Sequence, residues 1–172
     1  MLGADAEDRL LTMNNLRAVY YRQGRSGDPE PVAIKCLEER RRTVAEDHPQ
    51  TLRSIDTLAN FYDRVGRSPQ AEELYLDSIS RKIRVLGPSR DLVATSQAAL
   101  AGMYQRMGRY SESEPLALAA YETYKTALGA ESAKTEATAK QVVELYEAWG
   151  KPDKAAEWRA KLPKPTGRAP AK

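Results

Sequence analysis

Cysteine occurs once, at Cys36, and histidine once, at His48, so the side chains that most often serve as nucleophile, base or metal ligand are nearly missing. A lone thiol makes neither an internal disulfide nor a multi-thiolate metal centre. A lone imidazole leaves acid–base and metal chemistry without a second group. No histidine lies near Cys36 in sequence to activate it. There is no phosphate-binding glycine loop, no paired histidine motif and no Gly-x-Ser-x-Gly elbow. An enzyme is therefore not expected, and neither is a metal or a cofactor.

Charge does little to revive these options. The chain has 172 residues with 27 bases and 24 acids, a formal net charge of +3. Four of those bases and none of the acids fall in the last 12 residues, which leaves residues 1–160 at net −1. The body is nearly neutral and shows no basic stripe for nucleic acid, which is disfavoured as a partner. The end, residues 163–172, reads as a disordered, basic, Pro-rich tail. No apolar run approaches the roughly 18 residues a membrane helix needs, and the acidic start lacks a signal-peptide pattern. The expected setting is cytoplasmic, with no membrane partner.

What the chain has in place of chemistry is a period. Glycine recurs at Gly24, Gly66, Gly108 and Gly150, a spacing of 42 residues, each time followed by a base. Tyr20, Tyr62, Tyr104 and Tyr146 keep the same interval, as do Leu16, Leu58, Leu100 and Val142. The links Val44-Ala45, Leu86-Gly87 and Leu128-Gly129 are also in step. Fixed columns without insertions mark a repeat protein.

Each copy reads as two helices. Ile55, Leu58, Ala59, Phe61 and Tyr62 share one helical face, and Ala71, Leu74, Tyr75, Ser78, Ile79 and Ile83 share another after Gly66. The first helix of each pair, the A-type, is predicted at about 6–23, 49–65, 91–107 and 133–149. The B-type helices are predicted at about 28–43, 69–85, 111–127 and 153–162. Ala59 faces Ala71, Ala101 faces Ser113 and Val143 faces Ala155, while the first copy offers Arg17 and Pro29, a poorer contact. No strand alternation appears. The fold class is all-α, a right-handed solenoid of four helix-turn-helix repeats at about 2–43, 44–85, 86–127 and 128–162. Cys36 shares a column with Ser78 and Ala120 and reads as a buried, inert thiol. The run Glu38-Glu39-Arg40-Arg41-Arg42 reads as a solvated outer face, and Trp149 and Trp158 as the closing end of the core.

Leu58-Ala59-Asn60-Phe61-Tyr62 with Gly66 and Ala71, and Leu100-Ala101-Gly102-Met103-Tyr104 with Gly108 and Ser113, resemble the tetratricopeptide repeat (TPR). The 42-residue period, His48-Pro49-Gln50-Thr51-Leu52 and Asn14-Asn15-Leu16 are similar to its kinesin-light-chain variety. The resemblance covers about residues 2–162 and implies that His48 is structural, near the start of an A helix. It also implies that A helices line a concave face where peptides lie. The groove positions carried over are Asn14, Asp56, Asn60, Asp63, Gln105, Lys140 and Glu144. Small residues at Ala98 and Gly102 imply a roomy middle, and the acidic balance of the later positions implies a basic or polar peptide. Some relatives hold chaperone tails in a two-carboxylate clamp. Registering that clamp here gives Asn14, Ala18, Thr57, Thr95 and Ala99, or Asp56, Asn60, Ala99, Ala137 and Gln141, and neither set holds the two bases needed.

The resulting expectation is a non-enzymatic module that binds a peptide or partner protein in the concave groove. The alternative is a structural or regulatory segment of a larger multidomain protein, possible in bacterial signalling, that packs against its own domains or self-associates. The recurring Arg22, Arg64 and Arg106 read as helix C-terminal charges favoured by the macrodipole.

Overall fold

A computed structural model describes residues 29–162. The first predicted A helix, the groove position Asn14, the tail and the side chain of Cys36 lie outside the described residues. Among the described residues seven helices run in order: α1 (Pro29–Val44), α2 (Pro49–Arg64), α3 (Ser68–Leu86), α4 (Asp91–Arg106), α5 (Tyr110–Leu128), α6 (Ala133–Ala148) and α7 (Pro152–Arg159). Helices α2, α4 and α6 are A-type, and α1, α3, α5 and α7 are B-type. The result is an all-α repeat solenoid in which each helix packs on its chain neighbours.

Local chemistry sets the helix ends. His48 caps α2, its Nδ1 accepting the Gln50 N–H at 3.3 Å, and Ser132 caps α6 by accepting the Thr135 N–H at 3.3 Å. The A helices α2, α4 and α6 end in the same turn. At the first, the Arg67 N–H returns to the Tyr62 carbonyl (2.8 Å) while Gly66 sits at φ 79°, and Gly108 and Gly150 repeat the geometry at 73°. The link between repeats also needs positive φ. Glycine supplies it at Gly87 and Gly129, but the first link places Ala45 at φ 92°, a state in which a Cβ is strained.

The core follows the predicted columns. Ala59, Ala71, Ala101 and Ser113 are fully buried, and the Ser113 hydroxyl donates to the Ala101 carbonyl at 2.8 Å. Such small residues let A and B helices approach closely. At the C-terminal end Tyr121 meets Trp158 edge-on with centroids 4.7 Å apart, and Tyr110 stacks on Trp149 at 6.1 Å. The charged run on α1 is not wholly solvated: Arg40 turns inward, where its Nη1 donates to the Gln50 carbonyl (2.5 Å) and Ser54 Oγ (2.7 Å).

A repeated clasp joins successive repeats. The Tyr104 hydroxyl donates to Glu72 at 2.7 Å, and Arg109 donates to the same carboxylate at 2.6 Å while its guanidinium lies 4.2 Å from the Tyr104 ring. One period earlier the members are Tyr62, Glu30 and Arg67; one period later Tyr146 and Glu114 recur, but the base is Lys154, three residues beyond the Arg67–Arg109 column. The Arg109 bond holds the Glu72 carboxyl below its ordinary range, and burial with the Glu72 bond pushes the Tyr104 phenol up to about 12.

Candidate functional site

The A helices α2, α4 and α6 stand side by side and line a groove of about 940 Å³. Its first wall is Asn60, Asp63 and Arg64 on α2. The floor is Ala98, Ala99 and Gly102 on α4, flanked by Gln105 and Arg106. The far wall is Gln141, Glu144 and Ala148 on α6. These positions recur one helical turn apart on each element, which is why three helices in register present one continuous face.

The groove owes its depth to α4. A Cβ on Gly102 would stand 3.3 Å from Gln141 Nε2 and 3.5 Å from Arg106 Nη1, both ends of flexible side chains. Gln141 bridges the floor by donating to the Ala98 carbonyl at 2.9 Å. Asn60, in the lining, donates an amide N–H to the Asp56 carbonyl at 2.7 Å, and its side-chain oxygen is an acceptor bonded to no described residue. Arg106 is ion-paired with Asp63, which ties α4 to α2 and neutralises both charges. Exposed Arg64 and Glu144, on opposite walls, form no ion pair among the described residues.

Of the expected groove positions, Asn60, Asp63, Gln105 and Glu144 come together here. Lys140 is exposed on α6 but lies outside the lining. Asp56 is a correction. Its carboxylate turns into the array, where it is ion-paired with Lys82, accepts from Ser78 Oγ at 2.7 Å and from Ser96 Oγ at 3.0 Å. Lys82 is wholly buried and its Nζ also donates to Ser96 Oγ at 2.6 Å, so the ammonium needs this anion and holds it inside. Burial depresses the Lys82 pKa, and Asp56 opposes that shift. With Asp56 inside and Lys140 outside the lining, the groove has two acids, Asp63 and Glu144, and two bases, Arg64 and Arg106. The expected acidic balance is therefore replaced by an even one.

Sequence reasoning missed the two arginines, Gln141, Ala99 and Ala148 as lining. The signal was present: Arg64, Arg106 and Ala148 form one 42-residue column, and Ala99 and Gln141 another. Beneath the groove, Tyr75 packs in a buried cluster with Ala99, and its hydroxyl has no hydrogen-bond partner among the described residues. Burial raises its pKa, reinforced by Asp63 and Asp56. Among the described residues no three His, Cys, Asp or Glu side chains are placed to hold a metal ion, and no helix is long and apolar enough to cross a membrane.

Tetratricopeptide repeat models match residues 54–126 and 92–159, and a further one matches residues 9–50. The chain belongs to the tetratricopeptide repeat family. Among solved structures it is similar to BtubC (BKLC) from P. vanneervenii, with a TM-score of 0.80, 21% identity and 91% of this chain covered. The match spans 61% of the BtubC chain. It is also similar to a kinesin light chain-type protein of Podosopora anserina with nearly identical TPR-like repeats, with a TM-score of 0.77 and 22% identity. There the match covers 91% of this chain and 78% of the other. At such identities the likeness is one of fold. No curated protein matches the sequence. Repeats of this family are in general protein–protein interaction modules, typically scaffolds.

Proposed function

We propose that this chain is a non-enzymatic binding module that takes an extended segment of a partner protein across α2, α4 and α6. The observation that carries the reading is the groove itself: three A helices contribute polar side chains to its walls, while Ala98, Ala99 and Gly102 leave the floor open to a backbone. A segment lying there meets the acceptor of Asn60, the amides of Gln105 and Gln141, and charge on both walls. The single array over residues 1–162 and a cytoplasmic setting belong to the same reading, as does the lack of a two-carboxylate chaperone clamp.

Gly102 supplies the test. It lies inside a helix, so a side chain there costs no backbone strain, and its nearest neighbours can move aside. Gly102→Leu is expected to keep the fold and fill the groove. Affinity-captured proteins should be lost from this variant and retained by a variant at Leu76, an exposed residue of α3. Equal capture by Gly102→Leu and the unaltered chain would move binding away from the groove.

A further inference from the structure

Lining side chains divide into those already satisfied and those still available. Arg106 and Asp63 satisfy each other, Gln141 is bonded to the Ala98 carbonyl, and Glu147, just outside the lining, is ion-paired with Arg159. Among the described residues, the lining charges left without an ion pair are one cation, Arg64 on α2, and one anion, Glu144 on α6, both exposed and separated by the small residues of α4. Packed helices lie about 10 Å apart, so α2 and α6 are roughly 20 Å apart across α4. An extended segment rises about 3.3 Å per residue and covers that span in about six residues.

We infer that the occupant of the groove is an extended peptide of a partner protein carrying one acidic and one basic side chain about six residues apart, the acid on Arg64 and the base on Glu144. The inference rests on the groove reading above and adds the charge pattern of the ligand. Charge complementarity selects this occupant: a uniformly acidic segment meets Glu144 and a uniformly basic one meets Arg64, so each is repelled at one wall. The spacer between the charges crosses Ala98, Ala99 and Gly102, where small side chains fit. Gly102 in particular lets a backbone approach closely.

The test uses the full chain, labelled with nitrogen-15, and four nine-residue peptides with a common Ser/Ala/Leu spacer. Positions two and eight are Glu and Lys, Lys and Glu, Glu and Glu, or Lys and Lys. The two mixed peptides are expected to shift groove amides and to bind about three- to tenfold tighter than either uniform one at low salt. The preference should shrink as salt is raised. Single reversals should then convert it: Glu144→Lys toward the diacidic peptide, Arg64→Glu toward the dibasic one. The double reversal should restore the mixed peptides, since either peptide direction satisfies it. Both sites are exposed, and melting curves of the variants check that they fold. Four peptides that shift groove amides with equal affinity would overturn the charge pattern and leave the groove reading standing. Shifts confined to the outer B helices, or none at millimolar peptide, would overturn both.

Discussion

Two successive seams in this array share the Tyr–Glu clasp and differ in the side chains buried beside it. Between the second and third repeats, Asp56, Ser78, Lys82 and Ser96 form a buried, hydrogen-bonded ionic cluster. One period later the same four positions are Ala98, Ala120, Tyr124 and Thr138. There Ala94, Ala120 and Tyr124 pack against Ala98, and Thr138 satisfies its hydroxyl on the Lys134 carbonyl of its own helix at 2.8 Å. Near the ionic seam the Tyr75 hydroxyl is buried without a partner among the described residues. The B helix packs on the next A helix at both seams, so a charged interior is not what stacking requires. A buried ion pair is a weak source of net stability and a strong liability once one partner is lost.

The largest expected effect comes from removing that partner. Asp56→Ala strands the buried ammonium and should cost about 3–5 kcal/mol in denaturant unfolding. Replacing the whole cluster by its neighbour's residues, Asp56→Ala with Ser78→Ala, Lys82→Tyr and Ser96→Thr, should recover nearly all of that loss or exceed the starting stability. A fourfold variant as unstable as Asp56→Ala would break the comparison, because the seams would then differ in backbone demands as well. Next comes Tyr75→Phe, which removes an unpaired buried hydroxyl and should raise stability by about 1 kcal/mol. A loss would show that the hydroxyl has a bonded partner in solution. Ala45→Gly, at the link before the ionic seam, should gain about 0.5–1 kcal/mol by relieving the positive φ that Gly87 and Gly129 adopt without strain. An unchanged melting temperature would mean that this link relaxes at no cost. The smallest effect is a slope with pH. Lys82 has its pKa lowered by burial from the ordinary 10.5, so over the range below 10.5 the unfolded chain binds more protons than the folded one. Stability should therefore rise with pH as 10.5 is approached, and the fourfold variant should lack that rise.

Much of this architecture was legible in the 42-residue columns. Predicted and observed helices agree within one or two residues from α1 to α6, because Gly66, Gly108 and Gly150 mark the A-helix ends and Pro or Gly marks the links. The groove was legible where a helical face alone decides exposure, as at Asn60, Asp63, Gln105 and Glu144. It was not legible at Asp56, whose column holds Ala98 and Lys140 and points to the same face. Its direction is set by Lys82, 26 residues away on the next helix, and lysine on an amphipathic helix ordinarily signals water. The clasp carboxylates Glu30, Glu72 and Glu114 were periodic in sequence, yet glutamate near a helix start has an adequate local explanation in the macrodipole. Their bonds to Tyr62, Tyr104 and Tyr146 emerge only when repeats are stacked.

The ionic cluster also governs how such an array can grow. A copy of residues 68–109 inserted after Arg109 would keep the phase and bring its own Glu–Tyr–Arg clasp. Its duplicated Lys82, however, would face Ala98 where the original faces Asp56, and a buried lysine would lose its anion. A copy of residues 110–151 carries Ala120 and Tyr124 at those positions and so brings no lysine of its own at the Lys82 position, but it sets them opposite Lys140, the third member of the Asp56 column. Two stretches of equal length and the same fold thus differ in transposability: one works only next to the repeat that already supplies its counter-charge, while the other asks only that the flexible Lys140 side chain turn aside toward water.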